Sequence, residues 1–399
     1  MTQLARFSLL LVALLVSGFP FGFTPAHADE LPQDTNKIES LTPEQARKLA
    51  EEFPGVEVEF ETDEEIGWWW SDGLPLQGLT TLNPKTAEEL ARFKGNAILL
   101  TGLSSLGVDT ATSFAAYDGD VVVSEKVQKR FLATHPLSPE STVAWAVVTR
   151  GDLSRVPAID LAIAKALAEF KGRELSLTGL TTLEAASAKT LAEFKGRLSL
   201  NGLTTLDAYT AKALAEFKGW SLGLSGLTTL DAASAKRLVE FKGVLHLDGL
   251  TRFDADTVKA LTEFKGQRLS LGRLTALSEE ATKALTQQNG FSLSLHGLTT
   301  LDADTAKALA ATEKWDGDLS AVTALDTPDS VAIAKALATR KGPLKLPNLK
   351  KISPKTLSAL IAKEDVAIPL IETLELIQEP DGSVTEDFVI PEGFMQQSR

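Results

Sequence analysis

From Arg197 to Gly219 the apolar and polar positions follow two periods in succession. Leu198-Ser199-Leu200-Asn201 alternates with period two, which predicts a short strand with one buried face. Gly202 turns the chain, and Leu203 and Leu206 point inward from that turn. Asp207 stands where a helix N-cap belongs, and residues 208–218 read as an eleven-residue helix closed by Gly219. Ala211, Leu214 and Phe217 form its expected buried stripe.

This strand–turn–helix unit is used repeatedly. Gly-Leu-Thr-Thr-Leu begins at Gly78, Gly179, Gly202, Gly226 and Gly297, and related pentads begin at Gly102, Gly249, Arg273 and Ala321. Glu-Phe-Lys-Gly closes the helices at Gly172, Gly196, Gly219, Gly243 and Gly266. A period of 23 or 24 residues predicts a solenoid of about twelve units. Each unit is too small to bury its own apolar face, so it needs neighbours, and the two ends need caps.

Leu-x-Leu-x-Gly-Leu-Thr-x-Leu followed by a helix and a glycine resembles the bacterial leucine-rich repeat, over residues 74–365. The resemblance implies an α/β solenoid, a curved horseshoe with a parallel β-sheet on its concave side and α-helices on its convex side. Strands about 4.8 Å apart and helices about 8–10 Å apart supply the curvature. A parallel β-helix would lack a helix with cap signals at both ends. Where the family pattern carries Asn or Cys in the turn, this chain has Gly at the nearest position.

The ends and one internal unit depart from the period. Residues 29–73 are expected to form an N-terminal cap, with a helix over 41–53 started by Thr42 and Pro43. A strand follows, in which Glu57, Glu59 and Glu61 alternate with apolar residues and form a solvent-facing acidic row. Between 119 and 151 a strand at Val121-Val122-Val123 and a helix over 138–148 are separated by Glu125-Lys126-Val127-Gln128-Lys129-Arg130, a basic surface insertion. Residues 366–399 lose the repeat, gain Pro369, Pro380 and Pro391, and read as a closing cap and tail.

Residues 1–28 read as a signal peptide: Arg6 precedes an apolar run over 7–16, and Ala26-His27-Ala28 supplies the small residues of a cleavage site. No later segment is apolar over the roughly 18 residues a membrane span needs. With no cysteine for disulfide closure, an exported chain of this kind points to a bacterial periplasm, cell surface or extracellular space. The net charge of −13 argues against nucleic acid or an anionic bilayer as partner.

Candidate chemistry is sparse. The chain lacks a nucleophile elbow, a phosphate loop, His-Glu-x-x-His and a dinucleotide fingerprint, so neither catalysis nor a cofactor is expected. Asp63, Glu64 and Glu65 bring carboxylates together without a spaced Asp/Asn/Gly loop, so no metal is expected either.

The outward strand positions are the natural contact surface. They begin at Leu99 and Asp152 and continue through two rows that are small and hydroxylated. The most featured patch combines His246, Asp248, Arg273 and His296. Trp68, Trp69 and Trp70 form a second candidate, because adjacent strand residues face opposite sides and the three indoles cannot share one core. Trp220 and Trp315 precede strands and are expected to pack at the helix-to-strand turns.

Together these features predict a non-catalytic, exported binding module for a protein or a cell-envelope polymer. The alternative is a structural cell-surface protein that associates with itself.

Overall fold

The computed structural model describes residues 31–380 and Gly382, apart from 63, 64, 253 and 289. The expected signal peptide and most of the expected C-terminal tail lie outside these residues. Four strands form the first sheet in chain order: β1 Val56–Thr62, β2 Glu65–Pro75, β3 Ala97–Leu100 and β4 Asp120–Val123. β1 runs antiparallel to β2, whose last residues from Gly73 pair in parallel with β3. A six-stranded parallel sheet follows: β5 Glu174–Ser176, β6 Arg197–Ser199, β7 Ser221–Gly223, β8 Val244–His246, β9 Arg268–Ser270 and β10 Ser292–Ser294. Five strands of two residues complete the ladder in smaller sheets: β11 Ala324–Leu325, β12 Leu344–Lys345, β13 Lys351–Ile352, β14 Val366–Ala367 and β15 Glu375–Leu376.

The helices follow the strands and stack on one another. They are α1 Pro43–Glu52, α2 Pro84–Leu90, α3 Val108–Thr112, α4 Glu125–Thr134, α5 Pro139–Val148, α6 Leu161–Glu169 and α7 Ala185–Leu191. α8 Ala208–Ala215, α9 Ala232–Leu238, α10 Ala255–Leu261, α11 Glu279–Thr286, α12 Ala303–Ala311, α13 Ser330–Ala338 and α14 Pro354–Ile361 continue the layer. Parallel strands alternating with stacked helices make this an α/β leucine-rich-repeat-like solenoid.

The repeated leucines are the core. Leu175, Leu198, Leu222, Leu245, Leu269 and Leu293 are successive partners across the six-stranded sheet, and each is fully buried. The second pentad residue is as deeply enclosed at Leu180, Leu203, Leu227, Leu250, Leu274 and Leu298. Caps fall where side-chain chemistry places them. Asp207 accepts the backbone N–H groups of Tyr209 and Thr210, and Thr42 and Gln45 form a reciprocal capping box at the Pro43 helix.

The pentad glycine has a steric cause. A Cβ built on Gly202 would lie 2.2 Å from the Thr178 carbonyl oxygen, and one on Gly226 would lie 2.0 Å from that of Asn201. At Gly202 and Gly226 the turn therefore stacks backbone against the preceding backbone, with no room for a side chain. The tetrad glycine acts the same way on the opposite rim: a Cβ on Gly219 would lie 2.1 Å from the Gly196 carbonyl and 2.3 Å from the Phe217 ring.

Two expectations about the unit change. The helix that begins at Ala208 ends at Ala215, not at 218, and Glu216 caps it. Gly219 is not its left-handed terminator, because the positive-φ glycines are Gly55, Gly151, Gly317, Gly342 and Gly382. The Phe of the tetrad turns inward off the helix instead. Phe170 and Phe194 stack 6.3 Å apart at 7°, and Phe217–Phe241 and Phe264–Phe291 continue the column. Further along, the Arg340 guanidinium lies 4.8 Å from the centre of the buried Trp315 ring and donates to the carbonyls of Thr312, Trp315 and Pro343.

The basic surface insertion lies within a helix, with Lys126, Lys129 and Arg130 exposed. Ser124 caps α4, which buries Val127 and Phe131. The helix layer passes from α3 to α5 to α6, while α4 occupies the place where other units carry the pentad turn.

Candidate functional site

Strand alternation delivers the concave surface. Leu245 and Leu247 enter the core, so His246 and Asp248 emerge on the other face, each about one quarter exposed. Asp248 joins three neighbouring units. Its Oδ1 accepts from the Ser270 hydroxyl at 2.5 Å and from the Gly272 backbone N–H at 2.7 Å, and its Oδ2 accepts from the Ser225 hydroxyl at 3.3 Å. His246 Nδ1 stands 3.6 Å from that Oδ2, close enough for an ion pair when the imidazole is protonated.

Burial alone would raise the Asp248 pKa. The hydrogen bonds from His246, Ser270 and Gly272, with the nearby imidazole, overcome it and hold the carboxyl well below the usual carboxylate range. The group is an anion whose acceptor sites already serve the protein, so its role is to position its neighbours.

His296 completes the patch from the next unit. Its Nδ1 lies 3.3 Å from the Ser294 hydroxyl, and its ring covers Gly272 so closely that a Cβ there would meet Cε1 and Nε2 at 2.3 Å. The same Cβ would lie 2.8 Å from Asp248 Oδ1. Gly272 is thus the space that lets His296 and Asp248 converge. Arg273, in the position other pentads give to glycine, is exposed, and among the described residues its guanidinium has no hydrogen-bond or ion-pair partner.

His246, Asp248 and His296 therefore converge with Ser225, Ser270 and Gly272 at the strand ends of consecutive units, and Arg273 stands exposed at the turn of the intervening unit. Ser225, Ser270 and Gly272 are ordinary in the repeat, and only the shift of glycine from the pentad start to Gly272 marks them in sequence. Ser199, Ser270 and Ser294 face the same side but keep only 6%, 5% and 7% exposure, so the contact surface belongs mainly to the next row. That row also carries a partial ladder: Asn201 Oδ1 accepts the Ser225 N–H at 2.8 Å just as Asp248 accepts that of Gly272. The bonds that Asn makes inside the family's turn are made here from the strand end.

The tryptophans sit elsewhere. Trp68, Trp69 and Trp70 pair with Phe60, Glu59 and Val58 in the first sheet, and their side chains lie outside the described residues. Leu99, expected to face outward toward solvent, is fully buried in a second small cluster with Val58, Ala97 and Val122. The antiparallel β1 brings Val58 onto the outer face of β3 and β4, so this end of the sheet is sealed by the cap. Trp315 is buried as expected, but Trp220 is 56% exposed, because its residue bridges Gly219 to β7 on the rim.

Among the described residues there is no cluster of three or more His, Asp or Glu that suits a metal, and no helix is long and apolar enough to cross a membrane. The Asp63–Glu65 group falls partly outside the described residues.

No protein-family model matches the chain, and no curated protein matches it in sequence. Among solved structures it is similar to the TLR13–ssRNA13 complex, at 14% identity and a TM-score of 0.38, covering 75% of this chain and 40% of that one. It is also similar to the Drosophila Toll–Spatzle complex, at 10% identity and a TM-score of 0.40, covering 83% of this chain and 50% of that one. The chain thus spans half or less of these proteins, and its fold assignment rests on its own repeat geometry.

Proposed function

We propose that this chain is a non-catalytic protein-binding module that docks its partner on the concave face around His246, Arg273 and His296. The observation that carries this reading is the Asp248 network. It uses one partly exposed anion to fix groups of three consecutive units while leaving two imidazoles and a guanidinium at the surface. Preorganised polar groups of this kind lower the ordering cost of association, and an unpaired Arg is a favoured interface anchor.

The patch's hydroxyls are committed or covered: that of Ser270 donates to Asp248, and Ser294, whose hydroxyl lies beside His296, is only 7% exposed. Export to a bacterial envelope, with an envelope protein or cell-wall polymer as the target, is part of the proposal and rests on the N-terminal sequence. An acidic chain of net charge −13 is a poor fit to nucleic acid.

Affinity capture from an envelope extract, with the chain and its His246→Ala/Arg273→Ala/His296→Ala variant as paired baits, tests the reading. A protein retained by the first and lost from the second supports it. Concentration-dependent self-association in light scattering that is indifferent to the three substitutions would replace it with the structural role.

A further inference from the structure

Along the helix-to-strand rim one unit bonds its neighbours differently from two others. Lys218 N donates to the Ala192 carbonyl and Lys265 N to that of Val239, both at 2.8 Å and both one unit back. Lys171 N instead donates to the Ala115 carbonyl at 3.1 Å, passing over the unit that contains α5. The omitted unit is short. Arg150 and Gly151 adopt φ of 53° and 82°, and three residues (149–151) connect α5 to the strand position Asp152, against seven (216–222) between α8 and the equivalent position Gly223. A ridge that should be continuous is therefore interrupted, and a groove of about 840 Å³ opens from Ala116 to Trp220.

The walls of the groove have a definite chemistry. Asp118, Glu169 and Glu193 contribute three negative charges, and Lys171, Arg173 and Lys195 three positive ones, so the lining is balanced. Glu193 is paired with Lys218 and Arg173 with Asn96. Among the described residues the side chains of Asp118, Glu169, Lys171 and Lys195 have no such partner. The two phenylalanine rings of the floor are largely covered, Phe170 at 6% and Phe194 at 1% exposure. Trp220 is the exception, and the fold does not call for it: the same register position holds Arg173 and Gln267 in two other units.

We propose that this groove is a second binding site, distinct from the concave patch, and that its ligand is a neutral oligosaccharide. A sugar ring presents an apolar C–H face to an indole, and its hydroxyls both donate to carboxylates and accept from ammonium groups. The balanced lining disfavours a polyanion or a polycation. The rim backbone is also committed, with Arg197 N bonded to the Arg173 carbonyl and Val244 N to that of Trp220, so no strand can be added there.

The test titrates the full chain with chitotetraose, cellotetraose and maltotetraose by calorimetry, following tryptophan fluorescence in parallel. The proposal expects at least one to bind at about millimolar or tighter Kd and to be weakened about tenfold or more by Trp220→Ala. The melting temperature of that variant should stay that of the parent. Lys195→Ala, at an exposed side chain, should weaken binding while preserving the fold. No binding of any of the three at about 10 mM, or binding unchanged by Trp220→Ala, would overturn the proposal, as would preference for a tetrapeptide that competes in the same groove.

Discussion

Asp248 accepts the backbone N–H of Gly272 at 2.7 Å, from the strand end of one unit to the strand end of the next. The bond ties the core-forming repeat to the surface patch, because the same carboxylate holds Ser270 and faces His246. Removing it should cost stability and geometry together. Asp248→Ala loses charge-assisted hydrogen bonds and is expected to destabilise the chain by about 2 kcal/mol, measured by urea unfolding.

The same carboxyl gives a pH signature. Its folded pKa is depressed, so its contribution is fully present above the unfolded value of about 4 and is lost as pH falls through the lower folded value. Stability of the parent chain should decline below about pH 4 more steeply than that of Asp248→Asn. Parallel denaturation curves for the two at pH 7 and pH 3 check this, and equal slopes would remove Asp248 from the account.

Gly226→Ala should destabilise by about 2 kcal/mol or more, since its Cβ would sit 2.0 Å from a backbone carbonyl that cannot move without opening the stack. Gly290→Ala is the control. Its Cβ would meet only the Phe264 carbonyl at an ordinary 3.7 Å, so the cost should stay within about 0.5 kcal/mol.

This pair also marks what the sequence makes legible. The strand alternation, the Asp caps and the leucine core follow from local patterns, and residues such as Leu198, Asp207 and Leu214 stand where those patterns put them. The reason for the glycines does not follow, because it lies in the distance to a residue one unit away: Gly219 reads as a helix terminator and proves to be a contact point. Val127 shows why the helical form of the insertion was not legible. An apolar residue among Lys126, Lys129 and Arg130 marks an amphipathic helix, but six residues are too few to display the period. In the patch, His246, Asp248, Arg273 and His296 were visible as exceptions to the repeat, while Ser225, Ser270 and Gly272 gain their role only from Asp248. Trp220 was legible as a rim residue, but its exposure follows from its place between Gly219 and β7, which local pattern does not reveal.

Arg340→Lys should lower stability by about 3 kcal/mol despite keeping the charge. The guanidinium serves three carbonyls and the Trp315 face at once, and an ammonium has neither the reach nor the planar shape to replace it. Thermal unfolding followed by tryptophan fluorescence reports both the loss and the disturbed indole.

Gly272→Ala separates the patch from the fold. The added methyl meets the far end of the His296 ring and a carboxylate oxygen, so the histidine swings away while the leucine core is untouched. The expected result is a melting temperature lowered less than by Asp248→Ala, a shifted His296 imidazole resonance in NMR, and reduced partner capture.

The most direct measurement places a photo-crosslinking amino acid at position 296 of the full chain, and at exposed position 236 on α9 as the comparison. If the concave patch receives the partner, illumination in an envelope extract yields a heterologous protein adduct from position 296 and none from position 236. Adducts from position 236 alone, or from position 296 only to further copies of this chain, would contradict the account.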